Sequence, residues 1–122
     1  MSFCVNTPAQ YALAHHIKNN TISTVGKLME QKRDLFLELM QDTPFSFYKP
    51  AGGSYFQIAG YEKINSMPDM EFAEWLTKEF GVASIPTSVF YSNSLDQKVL
   101  RFCFAKTDET LEKAAERLLK VK

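Results

Sequence analysis

Residues 99–105 read Val-Leu-Arg-Phe-Cys-Phe-Ala, so an arginine interrupts an otherwise apolar run. Read as a β-strand, the run turns Leu100, Phe102 and Phe104 to one face and Arg101 to the other. A guanidinium keeps its charge and is costly to bury without an anionic partner. Arg101 therefore either reaches solvent from a half-buried sheet or is held to meet a carboxylate or phosphate. The pattern alone favours the first interpretation.

Apolar residues spaced by three and four predict four helices. The first begins at a cap on Thr7, and the second is long, running over roughly 23–41. The third is capped by Ser66 and ends at Gly81, a residue suited to a left-handed C-terminal stop. The last helix opens at residues 107–110.

Strand-prone runs at 54–59 and 82–85 accompany the strand around Arg101, and a short aromatic run lies at 45–48. Leu37 falls outside the apolar stripe of the long helix, which indicates a second packing surface. We therefore predict an α+β fold. It is a two-layer domain with a short, mainly antiparallel three-stranded sheet, helices packed on one face, and a long connecting helix before it.

Composition narrows the function. The chain has 122 residues, enough for one domain, and its 14 basic and 14 acidic residues give a formal net charge of +0. This balance argues against nucleic-acid binding, and no apolar run is long enough to predict a membrane span. Cys4 and Cys103 are expected to be buried free thiols in a reducing cytosol, which predicts a cytoplasmic protein. The adjacent His15 and His16 point to different sides of a helix, so they predict no metal site.

Candidate chemistry within the chain is sparse. No serine, cysteine or histidine stands beside an obvious base, and the spacing around Gly52 and Gly53 does not fit a phosphate-binding loop. Residues 1–5 open at once on apolar side chains, whereas a free N-terminus is usually solvated. We therefore expect a chain cut from a longer one.

Five short motifs follow one another along the whole chain. They are Asn6-Thr7-Pro8-Ala9-Gln10, Gly53-Ser54-Tyr55-Phe56, Phe-Gly-Val-Ala-Ser-Ile-Pro at 80–86, Phe90-Tyr91, and Leu-Arg-Phe-Cys-Phe-Ala-Lys at 100–106. In this order they resemble the C-terminal part of class I/II pyridoxal-phosphate aminotransferases. The likeness is strongest to the methionine and kynurenine branch, which includes cysteine-conjugate β-lyases. The resemblance implies a helical arm and interdomain helix over 1–42 and a small α+β domain over 43–122.

The resemblance also implies roles for particular residues. Arg101 would bind the α-carboxylate of the substrate, and this implication favours the second interpretation of the arginine. Val5 and Asn6 match a stretch beside the active site of the partner subunit in a homodimer. The intact enzyme would use pyridoxal 5'-phosphate to transfer an amino group between an amino acid and a 2-oxo acid. The amino acid would be methionine or an aromatic, kynurenine-like one.

The family's cofactor lysine, phosphate-binding residues and pyridine-facing aspartate all lie upstream of this chain. The chain alone is therefore expected to contribute no catalytic residue, to bind no cofactor and to be inactive. Relatives often carry an aspartate where this chain has Gly60, which leaves the local turn open. Two alternatives remain: a non-catalytic binding domain that reuses the fold, or, within the enzyme class, a cysteine-conjugate β-lyase.

Overall fold

A computed structural model of the chain describes residues 6–19 and 23–122. Within these ranges it contains four helices, one short 3-10 turn and a small sheet. The helices are α1 (Thr7–Asn19), α2 (Ser23–Leu39), α3 (Asp69–Phe80) and α4 (Asp108–Leu118), the strands are β1 (Phe56–Gly60), β2 (Ile85–Pro86) and β3 (Val99–Cys103), and the turn is Ser88–Phe90. None of the helices in the described ranges is both long and apolar enough to cross a membrane.

β3 is the central strand of an antiparallel sheet whose order is β1-β3-β2. In this register Arg101 lies opposite Ile58 of β1 and opposite Ile85 of β2. Helices combined with a small antiparallel sheet confirm the predicted α+β fold.

The alternation along β3 is confirmed by burial. Leu100, Phe102 and Phe104 are all buried, whereas Arg101 is half-buried on the opposite face. The core behind the sheet also takes large apolar side chains from α2, α3 and α4 and from the residue after α2. The helical residues are Phe36, Phe72, Leu76, Leu111 and Leu118, and the residue after α2 is Met40. Each fully buried side chain of this size contributes about 1.5–3 kcal/mol relative to an exposed one. The arginine therefore sits on a strand that cannot turn over without exposing the core.

The predicted caps are partly wrong. The cap of α1 is Asn6 and not Thr7, because the Asn6 Oδ1 accepts a hydrogen bond of 3.0 Å from the Ala9 N–H. Ser66 does not cap α3, which follows Pro68 and has no side-chain cap. The stop at Gly81 is confirmed by its left-handed φ of 65°.

The strand bounds also differ from the prediction. Residues 82–84 do not join the sheet, and β2 contains only Ile85 and Pro86, which pair with Arg101 and Leu100 of β3. The aromatic run at 45–48 makes only one bridge, between Ser46 and Gly60. Gly60 is also the last residue of β1, so its backbone is extended there, and a Cβ added to it would meet the Tyr48 ring.

Cys103 is exposed, contrary to the prediction of a buried thiol, because it ends β3 on the open face of the sheet. Cys4 and Val5 lie outside the described residues. The residues of α1 are all exposed, including Tyr11, Leu13 and Ile17.

Candidate functional site: an arginine between two aromatic rings

Arg101 occupies the middle of β3, where hydrogen-bonded strands flank it on both sides. Its neighbours Leu100 and Phe102 are buried behind the sheet, so they fix the direction in which the arginine side chain leaves the strand. A site on a strand held in this way is more rigid than one on a loop.

Two phenylalanine rings contact the guanidinium. The Arg101 Cζ lies 4.3 Å from the centroid of the Phe56 ring and 5.1 Å from that of the Phe90 ring. Phe56 comes from β1, two positions before the residue opposite Arg101, so it is a diagonal neighbour across the sheet. Aromatic faces attract a cation while leaving its N–H donors, which lie in the guanidinium plane, available to a ligand.

The other two arginines of the chain are bound to acceptors within it. Arg33 donates to the Ala51 carbonyl and also to the Asp34 carboxylate. The hydrogen bond with Asp34 raises the pKa of Arg33. Arg117 donates to the Gly81 carbonyl at 3.1 Å. Among the described residues, neither an acidic side chain nor a hydrogen-bond acceptor is paired with Arg101. Its guanidinium is therefore free to bind an anion.

A cavity of about 510 Å³ opens beside the arginine, between the sheet, α4 and residues 81–85. Its wall near Arg101 includes Tyr55, Phe56, Cys103 and Lys106. None of the described residues that line the cavity is an aspartate or a glutamate, so its two arginines and two lysines give this part of the surface a positive charge. Such a wall is suited to a ligand that combines a negatively charged group with an apolar one.

Tyr61, the residue after β1, is buried near the acidic residues Asp69 and Asp96. Burial, and then the negative charges of Asp96 and Asp69, raise the pKa of Tyr61 far above its ordinary value. The phenol therefore stays protonated and donates a hydrogen bond of 2.9 Å to the Met67 carbonyl. Because Met67 lies just before α3, this hydrogen bond holds the buried tyrosine against the segment that leads into the helix.

Of the site residues inferred from the sequence, Arg101 has surroundings suited to an anion. Asn6 is exposed and its side chain caps α1, while its role beside a partner subunit's active site stays a prediction. Val5 lies outside the described residues. The described ranges contain no group of three metal-binding side chains, and the His15 ring instead hydrogen bonds to Asn19.

Sequence reasoning missed the two rings that contact Arg101. Phe56 had a usable signal, because its strand pairs with β3 and its side chain alternates to the arginine's face. Phe90 had none, since a loop residue has no periodicity that would place its side chain.

The fold and the site together define an α+β domain with an arginine on the open face of its sheet, and the described residues offer this arginine no acidic partner. The family model "Aminotransferase class I and II" matches residues 1–118. The chain belongs to this family.

Several relatives are similar over most of the chain. A methionine aminotransferase from Escherichia coli is 39% identical over 120 residues, which are 97% of this chain and 31% of that protein. The human protein named kynurenine–oxoglutarate transaminase 3 is 34% identical over 110 residues, covering 80% of this chain and 24% of its own length. The solved N-succinyldiaminopimelate aminotransferase from Mycobacterium tuberculosis superposes with a TM-score of 0.86 at 26% identity, covering 99% of this chain and 32% of the other. The chain thus spans about a quarter to a third of the length of these relatives.

Proposed function

We propose that this chain is the C-terminal, substrate-carboxylate-binding domain of a pyridoxal-phosphate-dependent aminotransferase. The complete enzyme transfers an amino group between an amino acid and a 2-oxo acid. The observation that carries the proposal is the Arg101 guanidinium, held between two rings and paired with no acid among the described residues. Family membership supplies the reaction class.

Arg101 binds and orients the substrate in this proposal. A planar guanidinium donates two parallel N–H···O bonds to a carboxylate, which fixes both the position and the rotation of the bound amino acid. The flanking rings of Phe56 and Phe90 keep water from the guanidinium faces, and this strengthens the charge-assisted hydrogen bonds at its edge.

The cofactor, when bound, supplies the electron sink for amino-group transfer, and the protein supplies orientation. The cavity beside Arg101 does not fit this cofactor, because no carboxylate lines it that could face a pyridine nitrogen. We therefore assign the cofactor-binding and catalytic residues to the remainder of the enzyme, and only substrate binding to this chain.

The substrate preferred in this proposal is an amino acid with an apolar or aromatic side chain. Support comes from the apolar residues around Arg101, which are Phe56, Phe90, Ile58 and Ile85. The similar proteins named for methionine and kynurenine agree with this preference. We also propose a homodimer, in which Asn6 and Val5 lie beside the partner subunit's active site, and residues 1–42 connect the domain at 43–122 to the rest of the enzyme.

The test compares amino acids with amines in the complete enzyme. Arg101→Ala leaves a bound carboxylate without its partner, which costs about 2–5 kcal/mol. The expected loss in kcat/KM for amino acids is about 30-fold to several-thousand-fold. Arg101→Lys keeps the charge without the two-pronged geometry, so its loss should be intermediate. Amines that lack a carboxylate should lose far less.

The control is Arg33→Ala, which removes a guanidinium that bonds to the turn before β1. It should lower the melting temperature while leaving the ratio between amino acid and amine unchanged. If Arg101→Ala slowed both substrate classes equally, or only lowered the melting temperature, the arginine would be a structural residue and the proposal would be wrong.

A further inference from the structure

Phe90 contacts Arg101 from a segment with little regular structure. Phe90 is 61% exposed. It is the last residue of the 3-10 turn Ser88–Phe90, which follows the two-residue strand β2. Within this turn the Phe90 N–H donates to the Thr87 carbonyl at 3.1 Å. One such turn is not stable by itself, so contacts from elsewhere must hold the ring against the guanidinium.

Asp69, the first residue of α3, makes the strongest of these contacts. Its Oδ2 accepts a hydrogen bond of 2.7 Å from the Ser88 N–H, and its Oδ1 accepts one of 2.6 Å from the Ser88 Oγ. The carboxylate is only 1% exposed, and the described residues place no cation in a salt bridge with it. A carboxylate buried in this way is stable only while those hydrogen bonds are made, so it fixes Ser88 tightly.

The C-terminal end of this loop, which spans residues 87–98, is also hydrogen bonded to Asp69. The Asp96 Oδ2 accepts from the Asp69 N–H at 3.2 Å and pairs with the Lys98 Nζ at 2.6 Å. The Lys98 Nζ also donates to the Met67 carbonyl, and its backbone has a φ of 55°, which is uncommon for a residue with a side chain. Both ends of the loop 87–98 are thus tied to the N-terminus of α3.

We propose that Asp69 is a positioning residue for the carboxylate site: it holds the turn Ser88–Phe90, and the turn places the Phe90 ring against the Arg101 guanidinium. This inference rests on the proposed function of Arg101. Without Asp69 the guanidinium keeps its charge and the Phe56 ring but loses the second ring. The site therefore weakens and does not disappear.

The first measurement follows the Arg101 Nε–H signal of the 122-residue chain by NMR, with the signal assigned from its loss in Arg101→Lys. Ring currents from the two phenylalanines shift this proton, so Phe90→Ala gives the signal expected with one ring. Asp69→Ala should move the signal toward its position in Phe90→Ala. Ser88→Ala, which removes one hydrogen bond and no charge, should move it part of the way and keeps the test valid if Asp69→Ala fails to fold.

Two further variants separate positioning from general stability. Asp69→Asn should restore the wild-type signal, since its Oδ1 still accepts from the Ser88 N–H and its Nδ2 donates to the Ser88 Oγ. Glu74→Gln removes an exposed carboxylate from the same helix and should leave the signal unchanged. A wild-type signal in Asp69→Ala, or no change in Phe90→Ala, would overturn the proposal.

The second measurement uses the complete enzyme. Asp69→Ala should lower kcat/KM for amino acids by about twofold to fivefold, the equivalent of one exposed cation–aromatic contact, mainly through a higher KM. Amines should be unaffected. An equal loss for both substrate classes would contradict the positioning role. The NMR result does not depend on substrate, so a failure of the carboxylate assignment for Arg101 would show in the enzyme assays alone.

Discussion

At the scale of single residues, two aromatic rings offset the free-energy cost of partly burying the charge of Arg101. The Arg101 guanidinium lies within about 4–5 Å of two ring centroids. Such contacts with a cation contribute about 0.5–1 kcal/mol at exposed sites and more when water is excluded. Within the described ranges the arginine is thus stabilised by aromatic rings and not by an acid, which leaves its N–H donors for a ligand.

Asp96 gives a prediction at the same scale. Burial acts to raise the pKa of its carboxyl, but the hydrogen bonds and charge of Lys98, with the Asp69 N–H, outweigh burial and hold the pKa below its ordinary value of 3.8. A carboxyl with a lowered pKa stabilises the folded chain above the pKa of the unfolded state. That stabilisation is lost as the pH falls through the folded-state pKa.

We therefore expect Asp96→Asn to lower the free energy of unfolding at neutral pH and to reduce its decline at acid pH. Urea unfolding followed from neutral pH to below pH 3.8 measures both effects. Lys98→Met should act in the same way, and the double variant should be less destabilised than the sum of the two. Additive effects, or an unchanged acid decline, would show that the ion pair does not link pH to folding.

At the scale of elements, the helices are bounded by specific end residues. Asn6 and Thr107 cap α1 and α4 through side-chain oxygens that accept backbone N–H groups, whereas Gly81 ends α3 in the left-handed conformation. The stop at Gly81 matters for the site, because residues 81–85 form one wall of the cavity beside Arg101.

Substitution of alanine for glycine should have opposite effects on stability at Gly81 and at Gly26. Gly81→Ala places a Cβ on a residue with a φ of 65° and within 2.8 Å of the Arg117 Nη1, so we expect a loss of stability of about 1–2 kcal/mol. Gly26 lies inside α2, where an added Cβ meets nothing within 4 Å. Gly26→Ala should stabilise by about 0.5–1 kcal/mol.

Thermal and urea unfolding measure the change in stability of the two glycine variants, and each variant is the control for the other. Changes of the same sign in both variants would contradict the assigned conformation of one of the two glycines.

At the scale of the whole molecule, α1 and the first half of α2 leave several large apolar side chains exposed. Tyr11, Leu13 and Ile17 of α1 and Val25 and Leu28 of α2 are each at least 47% exposed. Large apolar side chains left exposed on a helix are typical of a surface that binds another protein. The C-terminal half of α2 instead packs into the core through Phe36, and Met40 does so directly after the helix.

We expect the 122-residue chain to self-associate through these helices. Sedimentation velocity over a range of concentrations should show a reversible dimer, and Leu13→Glu or Leu28→Glu should weaken it. Leu95→Glu, at a similarly exposed leucine in the loop after β2, is the control and should leave the association unchanged. A monomer at all concentrations, or an equal effect of all three variants, would contradict the expectation.

The sequence by itself determined the α+β class, the family and the face of β3 from which Arg101 projects. Each of these depends on local signals: the alternation along residues 99–105, the helical spacing of apolar residues, and motifs that occur in a fixed order. The stop at Gly81 belongs with them, because the left-handed conformation it adopts favours glycine.

Only the tertiary structure decided what surrounds the arginine. Phe56 precedes Arg101 in the chain by 45 residues (101 minus 56), and Asp69 contacts Ser88 across a separation of 19. Such contacts depend on strand register and on the path of a loop, which no short-range pattern encodes. The extent of β2 depends in the same way on its pairing with β3, which lies more than ten residues further along the chain.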